Sequence, residues 1–298
     1  MAQTDTGPQH ANSAVGVAPG EMRSSHVFFF RVREWSGVLL GFAVLGVLVT
    51  AALSGPTPYD PLLSDPSSIL EAPSGEHPFG TDRNGFDILA RTFEAAKTDL
   101  LLAIEGIGLA LAIGVTVGLF ASARGATGEI IMRGLDAFQA FPLVVLSIAV
   151  VTLMGNNVEN IVFAIAIINF PRFARLVRSQ ALTLRESLFV QAAVAFGASK
   201  TRVLFRHILP NTTELILAQV SIGSAHAIRV IASLTFLGIG VSPPTPTWGA
   251  MIRKGSRQVL SGEWWTFLFP GLFVVLTVIA FNLIADGIES RRVQRHGT

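Results

Sequence analysis

Long apolar runs separated by shorter polar segments dominate the sequence. A helix that crosses the hydrocarbon core of a bilayer needs about 20 predominantly apolar residues. Five runs have about this length, and a weaker one, 161–170, comes closer to it when extended to residue 176 with polar residues at its inner end. The pattern therefore predicts six membrane-spanning helices, at 37–55, 100–121, 135–154, 161–176, 215–239 and 266–285.

The segments between the runs have the composition of loops. Residues 56–95 are dense in Pro, Asp, Ser and Gly, which is typical of an extramembrane loop. Residues 240–265 form a second such loop. A cleaved signal peptide is the alternative interpretation of the first run, but a long segment precedes that run, and its apolar stretch exceeds the usual length of about 7–15 residues.

Composition supports the membrane interpretation. Half of the 298 residues are hydrophobic and only 14% are charged, whereas soluble domains carry about 25% charged residues. A disordered chain is excluded because it needs low hydrophobicity and high net charge. The absence of cysteine excludes disulfides, thiolate nucleophiles and cysteine metal sites. No basic run with interleaved aromatic residues suggests binding to nucleic acid.

The distribution of Lys and Arg predicts the orientation of the spans. With the N-terminus inside, the inner segments hold fifteen of the 22 Lys and Arg residues, the outer segments hold six, and Arg229 lies within the fifth span. Such an excess marks the cytoplasmic side, so both termini are expected there. We therefore divide the chain into a disordered cytoplasmic tail (1–35), a first helix with an extracytoplasmic loop (36–99), a helical core (100–290) with an inner loop at 186–211, and a cytoplasmic tail (291–298).

The inner loop is the segment most indicative of a partner. Its pattern predicts two short helices joined at Gly197, with Pro210 interrupting the second before the fifth span. Small residues there leave room for another surface, and phenylalanines provide apolar contacts. A basic amphipathic pair of helices can also lie on anionic lipid, so the residues alone leave protein docking and lipid contact equally open.

Several motifs occur in a fixed order along the chain. The inner loop contains Gln191-Ala192-Ala193, then Gly197, then Ile208-Leu209-Pro210. This pattern resembles the "EAA" loop of binding-protein-dependent ABC importer permeases. Seven further motifs resemble the dipeptide, oligopeptide and nickel branch of that family: HPFGTD (77–82), AFP (140–142), PRFARLVR (171–178), RHILPN (206–211), FLGIGV (236–241), PPTPTWG (243–249) and FNLIADG (281–287). The resemblance covers about residues 35–290 and is strongest to the C-type subunit.

This resemblance implies an all-α, multi-pass protein of the bacterial inner membrane that works in a heteromer. A homologous permease would complete the translocation path, two cytoplasmic subunits would bind ATP and Mg²⁺, and an extracytoplasmic binding protein would deliver the substrate. This chain itself would hold no cofactor. The residues implied in coupling to the ATPases are Gln191, Ala192, Ala193, Gly197, Arg202, Arg206, His207 and Pro210. Gln191 stands where the family usually has Glu, so this position offers no charge.

Three ionisable residues lie within predicted spans. A charge near the bilayer centre costs a few kcal/mol or more and is expected to face protein or water. Arg229 is therefore a candidate for the translocation path, where it would attract a carboxylate such as a peptide C-terminus. The alternative is a structural ion pair with Glu105 or Asp136. His226, one helical turn earlier, is a weaker candidate than a packed histidine, and Glu105 is a candidate partner of Arg229.

Other functions lack the residues they need. Nucleotide binding is not expected at Lys200-Thr201, because no glycine precedes this pair at the spacing of a phosphate-binding loop. Asp82 and Asp87 are better explained as turn and cap residues than as metal ligands, and no catalytic or metal constellation is expected.

The leading hypothesis is an importer of peptides. A nickel importer is less favoured because histidines and cysteines do not cluster. A stand-alone channel or carrier and an intramembrane enzyme are the remaining alternatives.

Overall fold

The computed structural model describes residues 23–55, 57–122, 126–155 and 157–296. Regular structure in these ranges is helical, apart from an isolated bridge between Thr81 and Asp87. The helices are α1 (Arg23–Ser54), α2 (Ile88–Ala121), α3 (Ala126–Gln139), α4 (Leu143–Met154), α5 (Val158–Arg185), α6 (Leu188–Ala195), α7 (Lys200–Arg202), α8 (Leu209–Leu237), α9 (Trp248–Ser256) and α10 (Trp265–His296). A π-helix, Val203–Ile208, joins α7 to α8, and a 3₁₀ turn, Val259–Ser261, follows α9.

Five helical segments are long and apolar enough to cross a membrane: Gly37–Ser54, Ile88–Ala121, Val158–Arg185, Lys200–Leu237 and Trp265–Arg291. The all-α membrane fold is thereby confirmed. The predicted third span, 135–154, is wrong as a straight helix. Helices α3 and α4 qualify only together and are bent by 89° at the short break between them. Pro142 explains the break, because proline disfavours the helical conformation of the residue before it, and its own ψ of 124° is not helical.

The helix that contains the second predicted span begins well before residue 100. Helix α2 begins at Ile88, where the Asp87 carboxylate accepts a hydrogen bond from the Ala90 N–H at 2.7 Å. Such a cap satisfies one of the free N–H groups at a helix start. At 1.5 Å per residue α2 is about 51 Å long, well beyond the bilayer core of about 30 Å. The predicted loop 56–95 and the boundary at residue 99 therefore extend too far, because 88–99 belong to the helix.

Helices also continue into segments predicted as loops or tails. Helix α5 ends at Arg185 rather than near 176, and α10 reaches His296 through most of the predicted tail 291–298. Of the predicted disordered tail, residues 1–22 lie outside the described part of the chain, and α1 begins at Arg23. In the extension of α5, Val177 and Ala181 are buried while Ser179 and Thr183 are exposed, so the polar positions there did not end the helix.

Glycines set the distance between α2 and α5 at the centre of the bundle. A Cβ atom at Gly106 would lie 2.6 Å from Ile165, and one at Gly114 would lie 2.5 Å from the Cβ of Phe173. The two backbones approach closely because these positions have no side chain, as in other tightly packed membrane helices. Helix α8 packs against both, and α1 packs against α10. The main core lies between α2, α5 and α8, and it buries Ile228 and Leu234 of α8.

Candidate functional site

The segment 186–211 forms a compact helix-turn-helix at the end of α5. Ser187 precedes α6, and the amide of Gln191 donates a hydrogen bond to the Glu186 carbonyl at 3.0 Å. Gly197 turns the chain with φ +85°, a conformation that glycine adopts without steric cost. The Ser199 hydroxyl then caps α7 by accepting the Arg202 N–H at 3.3 Å. The first short helix and the joining glycine agree with the sequence prediction, but the second predicted short helix is the beginning of the long helical segment Lys200–Leu237.

A small apolar cluster fixes this segment to the bundle. Ala181 of α5, Val190 of α6, and Val203 and Ile208 of the π-helix are all buried together. Several other apolar side chains of the segment are not covered by the rest of the described chain. Phe196 is 93% exposed and Leu188 is 84% exposed, and Val194 and Phe205 are more than half exposed. We call Leu188, Val194, Phe196 and Phe205 the apolar face of the loop.

The predicted coupling residues lie on this same segment. Gln191, Ala192, Gly197, Arg202, Arg206 and Pro210 are exposed, and Ala193 and His207 are half-buried. The structure thus brings the eight residues onto one surface segment that includes the apolar face. The prediction that Pro210 interrupts the helix is wrong, because Lys200–Leu237 is continuous. The π-helix widens the turn before it, where Leu209 N–H bonds to the Leu204 carbonyl five residues earlier, so the proline ring fits without breaking the helix.

The opposite end of the bundle carries a polar framework that the sequence did not predict. Arg91 of α2 is buried and donates hydrogen bonds to the Pro61 carbonyl at 2.9 Å and to the Pro244 carbonyl at 3.3 Å. Its guanidinium carbon also lies 4.3 Å from the centroid of the Phe86 ring. One side chain therefore ties the segment 57–87 to the segment before α9. We call 57–87 together with α9 the cap.

Tryptophans complete the attachment of the cap. The Trp248 indole N–H donates to the Thr92 carbonyl at 2.9 Å, and the Trp265 indole N–H donates to the Thr81 carbonyl at 3.2 Å. His77 is buried in the cap with Nδ1 2.8 Å from an Asp87 carboxylate oxygen, the same carboxyl group that caps α2. The two tryptophan bonds join residues 156 and 184 positions apart, which no local pattern specifies.

Charges of both signs act on Lys254 in the cap. Burial lowers the pKa of Lys254 in α9, the nearby charge of Arg91 lowers it further, and Asp82 has the opposite effect. The predicted turn role of Asp82 is confirmed, since its carboxylate accepts the N–H groups of Asn84 and Phe86 at 2.8 and 3.1 Å. Within the described residues no group of three His, Asp or Glu side chains could hold a metal ion.

The alternative role of Arg229, a structural ion pair with Glu105 or Asp136, is not found in the described part of the chain. Asp136 forms its ion pair with Arg175, at 2.6 Å, and not with Arg229. Glu105 and Arg229 are both exposed, and no ion pair joins them among the described residues. His226 is half-buried on α8, one turn before Arg229. Arg172 of α5, which the sequence did not single out, lies near both, close enough for the charges to interact.

Known proteins provide the context for this arrangement. Residues 110–294 match the family described as binding-protein-dependent transport system inner membrane component. The dipeptide transport system permease protein DppC of Alkalihalophilus pseudofirmus is 40% identical over 83% of this chain and 84% of its own length. A Brucella suis protein that carries the provisional name peptide permease protein is 35% identical over 93% of this chain and 92% of its own length.

These similarities extend over most of the chain and agree with the apolar helices described above. They also cover the segment 186–211 and α8, which hold the candidate residues. The chain is accordingly a multi-pass inner-membrane protein that belongs to the family of binding-protein-dependent transport system inner membrane components, the permeases of ABC importers.

Proposed function

We propose that this chain is the non-catalytic permease subunit of an ATP-driven peptide importer. The observation that carries the proposal is the apolar face of the segment 186–211 in a chain of this family. Several large apolar side chains that stay exposed on one short segment favour a surface for another protein. The printed names of the relatives, which refer to dipeptide and peptide permeases, support peptides as the substrate class.

The loop would seat on a cytoplasmic ATPase subunit. Phe196 and Leu188 would enter an apolar groove, with Arg202 and Arg206 at its rim. The cluster around Val190 and Ile208 holds the loop rigidly against α5 and the π-helix. A rigid connection transmits a displacement of the loop directly to the spans, as rigid-body switching requires.

The proposed assembly has four kinds of partner. A homologous permease completes the translocation path, two ATPase subunits bind ATP and Mg²⁺, and an extracytoplasmic binding protein delivers the peptide. Both termini and the loop 186–211 face the cytoplasm, as the excess of Lys and Arg in those segments supports. ATP binding would close the ATPase pair and open the path outward, and hydrolysis would return it inward. Arg229, His226 and Glu105 are proposed to line the path.

Co-purification and transport test this proposal. The tagged chain, expressed with its neighbouring genes, is expected to purify with two ATP-binding subunits and a second permease, and to take up alanine peptides in proteoliposomes when ATP and the binding protein are present. A Phe196→Asp variant should lose the ATPase subunits, whereas Leu63→Asp, which changes another strongly exposed apolar residue, in the cap, should retain them. Uptake by the chain alone would contradict the proposal in favour of a stand-alone carrier, and uptake of nickel but not of peptides would contradict the substrate class.

A further inference from the structure

Helices α5 and α8 cross where Phe173 meets Gly223. A Cβ atom at Gly223 would lie 3.8 Å from the tip of the Phe173 ring, so the two helices are in direct contact at this level. Arg172 precedes Phe173 in α5, and His226 follows Gly223 by one turn of α8. The crossing therefore brings Arg172 beside His226, with Arg229 a turn further along α8.

The position of the crossing is deep within the spans. Arg172 is separated from Val158 and from Arg185, the two ends of α5, by roughly 20 Å each at 1.5 Å per residue. A bilayer core is about 30 Å thick. Charged side chains at this depth are costly unless they face protein, an ion or a water-filled cavity.

The two arginines and His226 form a group in which no acid balances the guanidinium charges within the described part of the chain. Arg172 and Arg229 interact through their charges with each other and with His226. Neither arginine forms an ion pair in the described part of the chain, where Asp136 is occupied by Arg175. The buried Nδ1 of His226 also has no hydrogen-bond partner there. Two like charges that repel one another are held together by the helix crossing, so an anion would relieve the repulsion.

The side chains are accessible to such an anion. Arg229 is exposed, and Arg172 and His226 are half-buried. On α8, His226 and Arg229 belong to a stripe with Ile222, Ser233 and Phe236 that no other described segment covers fully. Guanidinium groups bind carboxylates through paired, charge-assisted hydrogen bonds. Arg229 on this stripe and Arg172 on α5 therefore offer two such donors at the same level of the bundle.

From this geometry we propose that Arg172 and Arg229, with His226 between them, form a binding site for the terminal carboxylate of the transported peptide. The site rests on the proposed function, because it places a substrate group in the translocation path. It extends that function by naming Arg172, which lies outside the loop and outside α8, as a residue that determines substrate specificity. A free carboxylate would be stabilised at this level, whereas a neutral amide would not.

Transport of paired substrates tests the site. The substrates are alanine peptides from dialanine to pentaalanine, each with a free C-terminus and as the C-terminal amide. The assembled importer is compared with Arg172→Gln, Arg229→Gln and the double variant. Arg175→Gln is the matched control, because Arg175 lies one turn further along α5 and is already paired with Asp136 at the surface. ATPase activity and subunit composition are measured for each variant to establish assembly.

The ratio of free-acid to amide uptake is the deciding quantity, since any preference of the binding protein is common to all variants. The wild-type ratio should fall about tenfold in the double variant and less in each single variant, and it should be unchanged in Arg175→Gln. An unchanged ratio, or an equal loss of both substrates, overturns the site and leaves the importer function standing. If the wild-type complex takes up no peptide in either form, the proposed function and the site fail together.

Discussion

The backbone N–H of Trp248 donates a hydrogen bond to a carboxylate oxygen of Asp99 at 3.0 Å, across 149 positions of sequence. Asp99 lies in α2 and is almost fully buried, and Trp248 is the first residue of α9. The first N–H groups of a helix have no partner within the helix. Asp99 therefore completes the start of α9 and fixes the cap to the second span.

Removal of this acceptor should loosen the cap. The Asp99→Ala variant leaves the Trp248 N–H buried without a partner, which costs about 1–3 kcal/mol. The Asp99→Asn variant keeps an oxygen acceptor of the same shape and also removes a buried acidic group, so it should be at least as stable as the wild type. Thermal unfolding in detergent measures both. Equal midpoints for wild type and Asp99→Ala would contradict the role assigned to this bond.

Arg91 makes a second, independent connection between the cap segments. Its two carbonyl partners, Pro61 and Pro244, belong to segments that are otherwise far apart along the chain. Hydrogen bonds that involve a charged donor contribute about 1.5–3 kcal/mol each. The Arg91→Met variant should therefore expose 57–87 to protease and to hydrogen exchange, while the spans stay protected.

Lys97 offers the matched control for Arg91 in the same helix. Its ammonium pairs with Glu94 at 2.6 Å, but both side chains are partly exposed, and such pairs contribute about 0–1 kcal/mol. The Lys97→Met variant should leave exchange in 57–87 unchanged. If both variants release the cap to the same extent, loss of positive charge rather than the Arg91 hydrogen bonds would explain the effect.

Close contact between α2 and α5 gives a third prediction. A methyl group at Gly114 would lie 2.5 Å from Phe173 Cβ and 2.6 Å from the Phe170 carbonyl oxygen, so Gly114→Ala must push the helices apart. Overpacking of this kind costs about 1–3 kcal/mol. Gly108 on the same helix has no atom within 4 Å of the added carbon. Its replacement by Ala should be neutral or stabilising by about 0.5–1 kcal/mol.

Unfolding midpoints of the two glycine variants decide this point. A lower midpoint for Gly114→Ala alone is the expected result. Destabilisation by Gly108→Ala of the same size would show that α2 resists alanine for reasons other than its contact with α5, and would contradict the packing described here.

Sequence patterns predicted the spans well because lipid imposes a simple requirement, a run of apolar residues of fixed length. They predicted the start of α2 poorly for the same reason. Residues 88–99 contain Arg91, Lys97 and Asp99 and do not look like a span, yet the protein itself buries one face of this segment. The hydrogen bonds by which Arg91 and Asp99 hold the cap depend on partners about 30 to 150 positions away, which periodicity cannot specify.

In the candidate sites, too, features set by local sequence were predicted and features set by distant contacts were not. The short helix α6 and the turn at Gly197 were predicted because glycine acts locally, but the continuation of the second helix through Pro210 was not. Arg172 was counted only as one of many inner cations, because its neighbours in sequence are basic. Its proximity to His226 and Arg229 follows from the crossing of Phe173 and Gly223, and only tertiary structure supplies that crossing.

The turn at Gly197 allows the proposed coupling role of the loop to be tested without altering its apolar face. No atom lies within 4 Å of a Cβ added there, and the φ of +85° is the sole obstacle to a side chain. A non-glycine residue in this conformation costs about 1–2 kcal/mol, and asparagine enters it more readily than alanine because its side chain bonds locally.

Gly197→Ala should therefore reorient α6 and reduce ATP-driven uptake several-fold, whereas Gly197→Asn should remain close to wild type. Uptake assays with hydrogen exchange over 186–199 measure both effects. Since both variants remove the glycine but differ in backbone preference, equal activity of Ala and Asn would argue that the turn conformation is not what transmits motion from the ATPase.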